Sequence, residues 1–287
     1  MSTALSTVTM STGVQVPVAL LDTLDLNQLE IGNVGEIKRL LRAAQGHGLF
    51  YLDLGNSEQG RKGLRNLQDV YSTTQQYFDQ PHDLKVKDMR YKDGGCDETF
   101  EMAYDELVPG TCNLPYLLRE SEEKLREFST SMHTACLTML SCLSDGLNLQ
   151  GADRFEYYHR PGEISDSGLK LVYEPSLERL ENVKENKHTD SGTLTLLFYD
   201  LWGLHAELAE GWAFAPPKPP LALVNVADSL KRLSRMKFHS PIHRVTQPTD
   251  GFEKRYYISY FLRPEQQLKM SWMETGEDEA IAPASTF

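Results

Sequence analysis

The stretch His188-Thr189-Asp190-Ser191-Gly192-Thr193-Leu194-Thr195-Leu196-Leu197 opens a β-rich run in the second half of a 287-residue chain. Its apolar end, continued to Tyr199, reads as a strand over Thr193–Tyr199. Short runs of similar composition alternate with turn residues on both sides: Arg154–His159, Leu169–Tyr173, Leu221–Val226, His243–Thr246 and Tyr256–Leu262. Several short strands at such spacing predict an antiparallel sandwich or barrel.

Before Leu149 the periodicity changes from two residues to that of helices. Ile37, Leu40, Leu41 and Ala44 recur at helical spacing and stop at Gly46-His47-Gly48. Leu49–Leu52 and the apolar run Val16–Leu21 read as strands. A second helix is expected from about Ser57 to Gln80, ended by Pro81, and a third from about Glu120 to Leu147. Residues 85–115 are polar and broken by Gly94-Gly95, Pro109-Gly110 and Pro115, so an irregular functional loop is expected there. The fold class is α+β with a mainly β core: helices outside a C-terminal jelly roll. Residues 1–14 are expected to be disordered. Residues 15–287 form one domain, with a helix-rich part (15–150), a jelly-roll core (151–265) and a tail (266–287).

Apolar residues make up 40% of the chain and charged ones 24%, the balance of an ordinary soluble protein. The net charge of −12 is spread along the sequence, which argues against nucleic-acid and anionic-membrane partners. The N-terminus lacks a secretory pattern, and no stretch is long and apolar enough to span a bilayer. The four cysteines (96, 112, 136 and 142) form no C-x-x-C pair and read as reduced thiols of a cytoplasmic protein. Oligomeric state stays open.

A His and a carboxylate two apart on an extended strand share a face. His188 and Asp190 have this spacing, and His243 falls on a later strand that could return beside them. Two imidazoles and one carboxylate are the facial triad of non-haem Fe(II) oxygenases, which leaves coordination positions open for dioxygen chemistry. Arg255 follows twelve residues after His243. The pattern H-x-D is weak alone; its weight comes from the company it keeps. Pro241 separates His239 from His243 and argues against a helical pair of ligands. His133, His159 and His205 read as satisfied or exposed histidines, and Arg244 should point away from His243 by strand alternation.

The local sequences around these residues extend the case. His188–Leu197 resembles the first metal motif of the isopenicillin-N-synthase-like 2-oxoglutarate/Fe(II) oxygenases. Gly203-Leu204, Gly211-Trp212, Pro216-Pro217 and Val224–Leu230 continue the resemblance in register, and Asp228 resembles a position that closes a turn. Ser240–Val245 resembles the second metal motif, and Arg255–Pro264 the strand that holds the oxoacid. His47–Tyr51 resembles the family's N-terminal segment, and Tyr91–Asp105 is similar to fungal members. The resemblance implies a distorted double-stranded β-helix in which His188, Asp190 and His243 bind Fe(II). It implies 2-oxoglutarate as cosubstrate, its far carboxylate on Arg255, because a planar guanidinium presents paired donors to a carboxylate. It also implies dioxygen as oxidant and oxidation of a C–H bond of a small organic molecule, by hydroxylation, desaturation or rearrangement, in secondary metabolism.

Two departures bear on the cosubstrate. The family usually carries Arg-x-Ser on the oxoacid strand, whereas this chain has Arg255-Tyr256-Tyr257. The family often carries Asn-x-Tyr-Pro upstream, for which Tyr158-His159-Arg160-Pro161 is the nearest match here. Tyr257 and Arg160 are therefore candidate oxoacid contacts. Candidate substrate contacts are Tyr91, Phe100 and Phe198, with Trp272 and Met273 as a possible lid. An Fe(II) oxidase needing no oxoacid, and a non-catalytic small-molecule binder, stay open as alternatives.

Overall fold

The computed structural model describes residues 5–94, 97–174, 186–248 and 254–268. Thirteen strands in these segments form two sheets. In chain order they are β1 (Ser6–Thr9), β2 (Gln15–Val18), β3 (Thr23–Asp25), β4 (Leu49–Asp53), β5 (Tyr91–Asp93), β6 (Glu98–Ala103) and β7 (Gly168–Glu174). They continue as β8 (Leu194–Phe198), β9 (Leu204–Leu208), β10 (Gly211–Phe214), β11 (Ala222–Val226), β12 (His243–Val245) and β13 (Arg255–Leu262). The larger sheet has the order β3-β4-β11-β8-β13-β7-β6-β5, and the smaller β1-β2-β10-β9-β12.

Strand alternation assigns the two faces of the large sheet. Leu169 and Leu171, Leu194, Leu196 and Phe198, and Ile258, Tyr260 and Leu262 pack outward against the helices. Those helices are Val34–Gln45, Glu58–Phe78 and Glu122–Gly146, which bring Leu40, Leu67, Val70, Phe128 and Met132 to the same core. Their starts are fixed by side-chain caps in two cases: Asn33 accepts from the amides of Gly35 and Glu36, and Ser57 from that of Gly60. The opposite face of the large sheet meets the small sheet in a second core containing Tyr51, Val172, Leu204, Ala206 and Leu223. The result is three layers, helices, large sheet and small sheet, with a jelly-roll interior between the two sheets.

Several expectations are corrected. Ser6–Thr9, within the segment read as disordered, pairs antiparallel with Gln15–Val18 as a hairpin; residues 1–4 lie outside the described residues. Arg154–His159 holds a 3-10 turn, Phe155–Tyr158, rather than a strand, because Ser144 and Glu156 anchor it to the long helix instead of to a neighbouring strand. The segment 85–115 is more regular than its breakers suggest: Glu98–Ala103 pairs along its whole length with β7. Gly95, Cys96, Trp272 and Met273 lie outside the described residues. Cys112, Cys136 and Cys142 are buried free thiols, as expected. No helix among the described residues is long and apolar enough to cross a membrane.

Candidate metal centre and oxoacid pocket

One ligand atom each from His188, Asp190 and His243 lies within 4.8 Å of the others. The backbone brings them together. His188 and His243, the first residue of β12, form an antiparallel bridge, with N–H to O distances of 3.0 and 2.9 Å in the two directions. Asp190 sits where the chain turns into β8, and the short helix Asp228–Leu233 pins that turn. The Asp228 amide donates to the Asp190 carbonyl at 2.8 Å, the Thr189 hydroxyl to the Asp228 carboxylate at 2.6 Å, and the Ser229 hydroxyl to the Ser191 carbonyl at 2.7 Å. Asp228 thus closes the turn, as its sequence context suggested. Gly192 is required by space: a Cβ there would stand 2.6 Å from the carbonyl oxygen of Leu262.

Side-chain contacts then orient the donors. Nδ1 of His188 lies 3.0 Å from the carbonyl of Asn186, and Nδ1 of His243 lies 3.1 Å from that of Pro241. A carbonyl accepts only, so each Nδ1 carries the proton and each Nε2 keeps its lone pair for a cation. The Asn225 amide donates to Asp190 Oδ2 at 3.3 Å, while Asp190 Oδ1 stands 3.8 Å from His243 Nε2. Burial, the largest cause, holds the His243 imidazole below its ordinary range, which favours the neutral form a metal needs. His243 is buried, Asp190 half-buried and His188 exposed, so the cluster is open on one side.

The cluster lies at one end of a cavity of about 240 Å³ between the sheets, room for small molecules and not for a folded partner. Lys170, Val172 and Glu174 of β7, Thr195 and Leu197 of β8, and Tyr257, Ser259 and Phe261 of β13 all line it, each set spaced by two. Among the described residues Thr195 Oγ1 and Asn225 Oδ1, buried there, have no hydrogen-bond partner, which suits a polar guest. Two imidazole nitrogens and a carboxylate oxygen, with positions left open toward the cavity, form a donor set that fits a ferrous ion.

Arg255 is 3% exposed and belongs to the same strand face as Tyr257. Its guanidinium donates to the side-chain oxygen of Gln247 at 2.5 Å and to the carbonyl of Trp202. Gly203 leaves room beside it: a Cβ there would stand 3.2 Å from the Tyr257 hydroxyl and 3.4 Å from Nη1 of Arg255. The residue that sequence reasoning missed is Glu174. It lies directly across from Arg255 in the β7–β13 register, is 5% exposed, and accepts a hydrogen bond from the Tyr257 hydroxyl. Burial pushes its carboxyl up to about 7, against the opposing pull of Tyr257 and Arg255. Glu174, like Arg160, stands before a proline in the sequence. Two signals pointed to it, the proline and the alternation Lys170, Val172, Glu174.

Four candidates are not brought to this cavity. Arg160 is held away by Glu265, which takes its backbone amide at 3.0 Å and its guanidinium at 2.7 and 2.5 Å. Phe198 points to the helices and packs edge-on against Phe128, because its parity on β8 is that of Leu194 and Leu196. Phe100 packs in the same outer core against Tyr77, and Tyr91 lies near the ammonium of Lys85. His159, His133 and His205 bond instead to Thr193, Tyr260 and Arg244, and the last contact keeps Arg244 off the metal face, as alternation required.

Residues 156–264 match the 2OG-Fe(II) oxygenase superfamily. A 2-oxoglutarate-dependent dioxygenase of Gibberella zeae is 35% identical over 93% of this chain and 86% of its own length. One from Glarea lozoyensis is 36% identical over 85% and 80%. Among solved structures, a full-length Neurospora crassa protein in complex with alpha-KG and thymine superposes with a TM-score of 0.69 at 22% identity, over 85% of this chain and 86% of that one. That likeness concerns the fold.

Proposed function

The chain belongs to the 2OG-Fe(II) oxygenase superfamily, and on that premise we propose that His188, Asp190 and His243 hold its ferrous ion and Arg255 the far carboxylate of its oxoacid. It is a non-haem dioxygenase that uses Fe(II), 2-oxoglutarate and dioxygen to oxidise a small molecule. The metal assignment rests on the convergence of the three donors, with both Nδ1 atoms tied to carbonyls. Iron and oxoacid together supply an oxidant drawn from dioxygen, with the oxoacid decarboxylated to succinate. The chain's own part is placement. Asn225 steadies Asp190, Arg255 orients the oxoacid, and Val172, Leu197 and Leu204 keep water from the reacting end.

The target is a C–H bond of a small organic molecule, and its setting is secondary metabolism in the cytoplasm, with residues 15–287 acting as one domain. Similarity to fungal dioxygenases and the size of the cavity support this reading. The test is succinate release from iron-loaded protein across a panel of fungal metabolites. Substrate-dependent succinate supports it. Substrate-dependent oxygen uptake without 2-oxoglutarate would overturn the oxoacid role of Arg255.

A further inference from the structure

Tyr257 stands where the family motif has a serine, yet its phenol is already committed, because its hydrogen bond goes to Glu174. The phenol that stands in the serine's place is therefore not free to serve an arriving carboxylate. In its place the chain presents a buried carboxyl group, 5% exposed, facing Arg255 across the β7–β13 ladder. Gly203 leaves open the space beside both the phenol and the guanidinium. A dicarboxylate held by Arg255 would bring a second carboxylate into the space that Glu174 shares.

Two carboxylates cannot both stay ionised against one guanidinium in a site this dry; one of them takes a proton. A protonated carboxyl is a hydrogen-bond donor and so can bond an arriving carboxylate directly. Resting on the iron-and-oxoacid reading above, we propose that Glu174 binds the far carboxylate of 2-oxoglutarate as the neutral acid, so that oxoacid binding draws a proton from solvent. The charged and titratable neighbours are Arg255 and Tyr257 on β13, Lys170 further along β7, and Asp97 before β6. Of these, Asp97 adds negative charge and Arg255 offsets it. The metal cluster occupies the other end of the cavity, and the small sheet contributes Leu204 and Val245. The Glu174 carboxyl is already raised to about 7 before any oxoacid arrives, so the added proton is within easy reach near neutrality.

The test is anaerobic calorimetry of 2-oxoglutarate binding to iron-loaded protein, in buffers of differing ionisation enthalpy, from pH 6 to pH 9. Expected are little proton uptake at the acid end, uptake approaching a full proton per oxoacid at the alkaline end, and affinity falling about tenfold per pH unit above about 7. Glu174→Gln, which keeps a donor without a titrating proton, should lose both the uptake and the slope and should bind more tightly than wild type at pH 9. Oxoacid binding with level affinity and no proton uptake in wild type overturns this inference alone. Absence of oxoacid binding at every pH overturns it together with the reading it rests on. The wild-type measurement decides even if the variant does not fold.

Discussion

The backbones of His188 and His243 bond to each other in both directions, at 3.0 and 2.9 Å, so two candidate ligands from distant parts of the chain share one rung of a ladder. Their rings lie 4.4 Å apart by centroid. The polypeptide thus builds the cluster from main-chain bonds.

Iron removal should therefore leave the fold intact. Chelated protein is expected to keep its far-ultraviolet dichroism and a cooperative urea transition. Restoring Fe(II) to about a hundred times its dissociation constant should add about 2.7 kcal/mol by mass action. A metal-free chain without a cooperative transition would contradict a preformed cluster.

Arg255→Gln removes a buried cation held by Gln247 and the Trp202 carbonyl. The expected cost to oxoacid binding is about 2–3 kcal/mol, roughly a hundredfold, from losing a charge-assisted pair. Iron affinity should hardly change. Titrations of iron and oxoacid into the same variant check both halves of this expectation.

Tyr257→Phe leaves the Glu174 carboxylate without the hydroxyl it accepts from. The loss of stability should be about 1–3 kcal/mol at pH 8, where the carboxylate is charged, and smaller at pH 5.5, where it is protonated. Urea midpoints at the two values measure the difference.

Glu174 also sets a pH dependence of folding. Its carboxyl titrates at about 7 in the folded chain against an ordinary 4.5, so between those values the folded state holds more protons. Its contribution to stability is fully present below 4.5, falls as pH rises, and is lost by about 7, a change of about 3 kcal/mol. Buried His159, pushed down to about 4 from 6.5, acts in the opposite sense: its contribution is present above 6.5 and lost as pH falls toward 4. His133 and His205 shift in the same direction as His159. Wild type is therefore compared with Glu174→Gln across pH 5–8; the variant should gain on wild type as pH rises, and a constant difference would contradict the burial of a titrating Glu174.

Much of the fold was legible because its strands obey strict alternation. In β13, Tyr256, Ile258, Tyr260 and Leu262 face the helices while Tyr257, Ser259 and Phe261 line the cavity, and Arg255 shares their parity. The same rule, applied to β8 from Thr193, would have sent Phe198 outward with Leu194 and Leu196; a one-residue shift of parity exchanges core for cavity. Arg154–His159 misled because adjacent aromatics favour strands, while its anchors Ser144 and Glu156 are tertiary and invisible locally. β10 was missed because it is short and its Gly211, at φ +121, reads as a breaker; β9, as long as β8, was missed without such a local reason. Arg160 attracted attention by standing before a proline, but Glu265, a hundred residues later, decides where it goes. Glu174 hid for a different reason: an acidic residue at a cavity-facing position looks like any surface glutamate until the strand opposite is known.

Whether His188, Asp190 and His243 together hold the ferrous ion is decided by anaerobic Fe(II) titration of wild type beside His243→Ala, with folding checked in parallel. Stoichiometric, tight iron binding is expected in wild type, and its loss in a variant that still unfolds cooperatively. A folded His243→Ala protein that binds iron as tightly as wild type would contradict it.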